Sequence, residues 1–151
     1  MYITFLILSV IMVISDLATK YLVTSSMALN ETLPLIDNIF HLTYVRNSGA
    51  AFSMLSGQRI ILILLPLLII SVIIIYIIFK RPTNKSLMLS FTMIVSGGIG
   101  NLIDRIKYGY VIDFFDFRLI NFPVFNVADI FVTLGAAIFI ILLLFSKEEI
   151  I

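Results

Sequence analysis

Ile60 to Phe79 is an apolar run interrupted only by Pro66 and Ser71. It has about the twenty residues that a helix needs to cross ~30 Å of hydrocarbon. Three other segments are of the same kind: Tyr2 to about Val23, Leu87 to Ile106 and Val127 to Phe145. Composition agrees with lipid as the solvent. Of 151 residues, 61% are hydrophobic and 13% charged, whereas soluble domains run at roughly half and about a quarter. Pro66 is tolerable within a membrane span and is expected to kink it. The first half of the first span has the apolar character of a signal-peptide core. It lacks a basic leader and a small-residue cleavage site, so it is read as part of the mature chain.

These spans predict an all-α polytopic membrane protein of one unit, residues 1–151, with four transmembrane helices. The connections are unequal. Residues 24–59 and 107–126 are long or medium, and Lys80 to Ser86 is a short basic link. Within the first, Ile39 to Val45 alternates as a strand does, bounded by Asp37-Asn38 and Asn47-Ser48-Gly49. If all four spans cross, both larger connections lie on one side, where a small sheet or cradle is expected. Lys80, Arg81 and Lys85 crowd the short link without an acid, which favours that link and both termini being cytoplasmic. The wider count opposes Lys80, Arg81, Lys85 and Lys147 to Arg46, Arg59, Lys107 and Arg118, and is balanced.

Composition also excludes chemistries. There is no cysteine, hence no thiol catalysis, thiolate metal site or disulfide. A single histidine, His41, argues against a histidine zinc site or a Ser-His triad. A net charge of +1 gives no field for nucleic acid. Carboxylates, amides and arginines are left to act, and no metal or organic cofactor is expected.

Ionisable residues inside a span are functional candidates by default. Asp16 and Lys20 lie late in the first span, Asn101, Asp104 and Arg105 at the end of the third, and Asn126 and Asp129 at the start of the fourth. In an up-down bundle these ends share one membrane face, the face that bears both large connections. Asp113 comes soon after the third span within an apolar stretch, Val111 to Phe114. Two carboxylates held close share a proton, so that one can activate water while the other protonates the carbonyl or leaving nitrogen.

Plainer roles stand beside these. Asn126 suits an N-cap and Asp129 the helix dipole. Asp16 and Lys20, four residues apart, suit a structural ion pair. Arg105 could snorkel toward headgroups. Gly97, Gly98 and Gly100 suit close helix packing. His41 reads as a satisfied strand residue, and Glu31, Asp37, Asp116 and Arg118 as loop surface. The residues alone do not choose between Asp104 and Asp113 as the partner of Asp129. They also leave open a transporter, for which polar residues would be spread through the bilayer depth, and a non-catalytic assembly factor that binds partner helices.

Five stretches in order resemble the lipoprotein signal peptidase family, also called type II signal peptidase. They are Asp16-Leu-Ala-Thr-Lys20, Arg46-Asn-Ser-Gly-Ala-Ala-Phe-Ser53, Gly97-Gly-Ile-Gly-Asn-Leu-Ile-Asp-Arg105, Val111-Ile-Asp-Phe114 and Phe122-Pro-Val-Phe-Asn-Val-Ala-Asp129. Ile99 and Ile112 depart from the commoner alanine and valine. The resemblance implies a multi-pass enzyme of the bacterial cytoplasmic membrane, with both termini cytoplasmic, an extracytoplasmic β-cradle and a site near that face. It implies an aspartyl endopeptidase that removes signal peptides from diacylglyceryl-modified prolipoproteins, cutting before the lipidated cysteine. By motif, Asp113 and Asp129 would be catalytic, and Asn47, Asn101, Arg105 and Asn126 would hold substrate or cyclic peptide inhibitors such as globomycin. Asp16, Lys20, Asp104 and Gly49 match supporting positions. A monomer in the lipid bilayer, without nucleic acid, completes the expectation.

Overall fold

The computed structural model describes residues 1–49 and 54–145. Ala50 to Ser53 of the second motif and Lys147 of the charge count lie outside the described residues. Four helices occupy the expected spans: α1 (Tyr2–Ser26), α2 (Arg59–Lys80), α3 (Lys85–Lys107) and α4 (Val127–Phe145). All four are long and apolar enough to cross a membrane. Each of the first three runs one to three residues past its apolar stretch, because polar residues at a helix end meet headgroups and water. Pro66 lies inside α2, which continues through it from Arg59 to Lys80.

The helices differ sharply in what they bury. α2 keeps most of its Ile and Leu side chains turned outward, whereas α3 is buried along its length, from Leu87 to Asp104. α3 is therefore the centre of the bundle, with α1, α2 and α4 packed around it. Lipid tails are as apolar as leucine, so helix association must come from close packing and hydrogen bonds. Both are present. A Cβ placed on Gly97 would collide with the Ala128 carbonyl and lie 2.8 Å from Val132, and one on Gly135 would lie 2.8 Å from the Ser90 carbonyl. The Ser90 hydroxyl donates to the Gly135 carbonyl at 2.8 Å, and the Ser9 and Ser96 hydroxyls meet at 2.8 Å. The glycines expected to permit close packing do so.

Three antiparallel strands, β1 (Thr32–Ile36), β2 (Phe40–Asn47) and β3 (Val111–Phe117), form a sheet in the order β1-β2-β3. The strand expected at 39–45 is β2. β3 was concealed in the aromatic connection, although Val-Ile-Asp-Phe-Phe-Asp-Phe is the β-branched and aromatic composition that strands favour. The register pairs His41 with Asp116, Leu42 with Phe115, Val45 with Asp113 and Asn47 with Val111, and a bulge lies between Leu42 and Val45. Val23, Tyr44, Ile112 and Phe114 form a small core that fastens the sheet to the end of α1.

Two of the expected roles need correction. Asp116 is not loop surface but a strand residue, 8% exposed, that accepts from the Thr43 hydroxyl at 2.6 Å and from Arg118 Nε at 2.8 Å. Its charge masked a position that pairs with His41 of β2. His41 lies on β2 as expected, but neither ring nitrogen has a hydrogen-bond partner among the described residues.

Gly97→Leu should force α3 and α4 apart, since overpacking of a tight contact costs about 1–3 kcal/mol or more. The expected result is a lower thermal unfolding midpoint in detergent, measured against the unaltered protein.

Candidate active site

The C-terminal ends of α1 and α3, the N-terminal end of α4 and the sheet meet at one end of the bundle, and nearly every predicted site residue is there. Lys20 is at the base. Its Nζ lies 2.8 Å from Asp16 Oδ2, 3.0 Å from Asp104 Oδ2 and 3.1 Å from Asn101 Oδ1. Asp16 and Lys20 are 1% and 2% exposed. The pair expected from their spacing is thus formed, with Asp104 as a third member. Gly100 leaves room for it, since a Cβ there would lie 2.5 Å from Asp16 Oδ2. The second oxygen of Asp16 caps α4, accepting from the Ala128 N–H at 2.9 Å. Asp104 Oδ2 also accepts from the Ile112 N–H at 3.1 Å, which ties the start of β3 to α3.

An ammonium only donates, so the Asn101 atom facing Lys20 must be the carbonyl oxygen. That fixes the amide and turns its NH2 outward. Asn101 Nδ2 accordingly donates to Asp129 Oδ1 at 2.8 Å. Asn126 is oriented by the same logic. Its Oδ1 accepts from the Asp129 N–H at 2.9 Å, while Asp129 Oδ2 accepts from the Asn126 N–H at 3.1 Å. This reciprocal capping fits the N-cap and helix-dipole roles expected for the start of α4. With its oxygen engaged, Asn126 presents Nδ2 to Asp113 Oδ1 at 2.7 Å, and the same nitrogen lies 3.0 Å from Asn101 Oδ1. One asparagine therefore bridges the two carboxylates.

Asp113 arrives from the sheet. Asn47 Nδ2 donates to its other oxygen at 2.9 Å, and Asn47 Oδ1 accepts from the Gly49 N–H at 2.9 Å. The backbone of Phe125 pairs with Phe115 in both directions, at 2.8 and 3.0 Å, so the segment leading into α4 is clipped to β3. Asp113 is 2% exposed, whereas Asp129 is only partly buried. Burial pushes the Asp113 carboxyl up to about 6, with the Asp129 carboxylate pushing the same way and the Asn47 and Asn126 amides pulling against both.

Asp113 and Asp129 face one cavity of about 770 Å³, shared with Asn47, Asn101 and Arg105. Phe122, Pro123, Val124 and Phe125 line it from the connection into α4, and Ile130, Val132 and Leu134 from α4 itself. It is polar at the carboxylates and apolar beyond. Arg105 turns into this site, with NH2 donating to the Gly49 carbonyl at 3.1 Å and a buried Nε without a partner among the described residues. Headgroup snorkelling is thereby set aside. Asp104, the rival of Asp113, is engaged by Lys20 and the Ile112 amide and is absent from the cavity lining. The sequence marks Phe122 to Phe125 only as part of a motif, and the role of this segment as a cavity wall arises from the Phe115–Phe125 pairing.

The arrangement offers two carboxylates of unequal burial, oriented amides and one arginine donor. Among the described residues no group of three or more His, Cys, Asp or Glu is placed to hold a metal ion. Asn47→Ala removes a donor that favours the charged form of Asp113, so its pKa must rise. Such bonds to charged groups are worth about 1.5–3 kcal/mol, or about one to two pH units. Any activity limb governed by Asp113 should move to higher pH by that order, as read from a pH–rate profile.

Residues 8–145 match the family model described as signal peptidase (SPase) II. A protein of Halothermothrix orenii named lipoprotein signal peptidase is 43% identical over 144 residues, covering 95% of this chain and 97% of that one. One of the same name from Nostoc punctiforme is 47% identical over 132 residues, covering 87% and 83%. A bacterial membrane enzyme solved by the in meso method at 2.3 Å resolution superposes with a TM-score of 0.90 at 31% identity, covering 97% of this chain and 92% of that chain.

Proposed function

The chain belongs to the signal peptidase II family, and on that premise we propose that it is an aspartyl endopeptidase that cuts signal peptides from prolipoproteins. The observation that carries the catalytic assignment is the bridge of Asn126 between two carboxylates in one cavity. The scissile bond lies before a cysteine that carries diacylglycerol. The acyl chains stay in lipid, while the peptide enters through the apolar part of the cavity and reaches Asp113 and Asp129.

Asp129, the less buried of the two, is the base that takes a proton from the attacking water. Asp113, whose burial favours the neutral form, gives its proton to the peptide carbonyl oxygen, and a tetrahedral diol forms. In collapse, Asp129 passes its proton to the leaving nitrogen and Asp113 recovers one from the diol. The C–N bond breaks, and the cysteine amine and the signal-peptide carboxylic acid leave. The pair starts and ends with one proton between its members. The Nε of Arg105, without a partner among the described residues, is a ready donor for a substrate carbonyl, and the cavity-facing amides hold the peptide backbone. Cyclic peptides such as globomycin would compete for the same groups.

The basic link Lys80, Arg81 and Lys85 supports cytoplasmic termini. The site then lies at the extracytoplasmic face of the bacterial cytoplasmic membrane, where one copy of the chain suffices.

Asp113→Asn and Asp129→Asn should each lower cleavage of a diacylated prolipopeptide by at least about a thousandfold, the order lost when an essential acid–base group is removed. The measurement is product formation by purified protein, with an unlipidated peptide as control. Near-normal cleavage by either variant removes that residue from the pair, and equal cleavage of both peptides removes the lipid requirement.

A further inference from the structure

The last two residues of β2 point to opposite faces of the sheet, as successive strand residues do. Asn47 turns to Asp113. Arg46 also borders the carboxylate cavity, but its guanidinium turns the other way, toward a second cavity of about 330 Å³ bordered also by Thr24, Met27, Tyr44, Tyr108 and Tyr110. Its Nε donates to the Tyr44 hydroxyl at 3.1 Å, and its Cζ lies 5.0 Å from the Tyr110 ring centre and 5.8 Å from that of Tyr44. Tyr108 and Tyr110 stack at 5.7 Å, and the Lys107 ammonium lies 4.8 Å from the Tyr108 ring centre. Among the described residues, neither Arg46 nor Lys107 forms an ion pair with a carboxylate, and none accepts from the Nη groups of Arg46. The rings orient a guanidinium fork and leave its paired donors free, the geometry that suits a phosphate.

The location identifies the carrier of that phosphate. The cavity lies where α1 ends and where α3 gives way to Tyr108, at the boundary of the spanning segments. One turn back from Thr24, on the same side of α1, Tyr21 is 71% exposed, and Met27 and Leu29 add apolar surface to the recess itself. A basic, hydroxyl-lined recess above an apolar wall matches an amphiphile, with its headgroup in the recess and its acyl chain along α1. A soluble anion would use only the upper half. The geometry points to a binding site for the phosphate of an anionic phospholipid, on the sheet face opposite the carboxylate pair, with Arg46 as anchor and Lys107 as second cation. A zwitterionic lipid fits worse, because its ammonium is repelled by both.

The test uses the full chain in mild detergent, incubated with equal amounts of phosphatidylglycerol and phosphatidylcholine of matched acyl chains. Retained lipid is counted by native mass spectrometry. Phosphatidylglycerol should be retained on the order of tenfold over phosphatidylcholine, as expected for two cations near the headgroup. Arg46→Gln should bring the ratio close to one, Lys107→Gln should lower it about fivefold, and Arg46→Lys should fall between, because it keeps charge without the fork. Thermal unfolding in phosphatidylcholine micelles checks that each variant is folded. Should Arg46→Gln fail that check, Lys107→Gln, exposed at the end of α3, decides alone. Equal retention of both lipids by the unaltered protein overturns the site, as does a ratio that the folded variants leave unmoved. Displacement of bound phosphatidylglycerol by glycerol 3-phosphate at matched phosphate concentration would assign the recess to a soluble anion and overturn the lipid.

Discussion

An ammonium withdrawn from water needs acceptors and counter-charges around it, and the Lys20 head lies within ion-pair distance of Asp16 and Asp104 and donates to the Asn101 carbonyl oxygen. Losing one partner of a buried ion pair costs about 3–5 kcal/mol, because the remaining charge is stranded. Around this one group three helices are fixed at once. Asp16 links α1 to the first turn of α4, Asp104 links α3 to the first residues of β3, and Asn101 passes a definite amide polarity on to Asp129. The carboxylate pair inherits its orientation from an ion cluster that is not itself in the cavity.

The sheet contributes the other half of that geometry through an irregularity. Between Leu42 and Val45 the pairing with β3 shifts by a residue, so that Val45 opposite Asp113 and Asn47 opposite Val111 share the cavity face. A bulge adds one residue to one strand and re-aims the side chains beyond it. Without it, the alternation of β2 would present the Arg46 guanidinium to the carboxylates and send the Asn47 amide to the tyrosines. The residues of the two faces are thus sorted by a single extra residue in the strand.

The spans were legible in the sequence because each is a long apolar run, and lipid imposes that composition directly. The meeting of Asp16, Lys20, Asn101, Asp104, Asn126 and Asp129 could be read from helix direction alone, and the capping bonds of Asn126 and Asp129 from local spacing. Contacts between distant segments were not legible. Nothing in the surroundings of Asn47 announces that its amide meets Asp113, since that depends on strand register. Asp116 read as surface because of its charge, and the Thr43 and Arg118 side chains that meet it come from outside its immediate pattern. His41, whose two ring nitrogens have no hydrogen-bond partner among the described residues, departs from the usual satisfaction of buried polar groups, and no physical reason for it is visible in the structure.

The chain order of these parts has a consequence for biogenesis. The Asn126 bridge, Asp129 and the Ala128 amide that receives Asp16 all belong to the last segment of the described chain to leave the ribosome. Until that segment is inserted, Asp16 lacks its backbone donor and Asp113 lacks the Asn126 amide. Insertion of the final helix is therefore the step that brings the two carboxylates to one cavity.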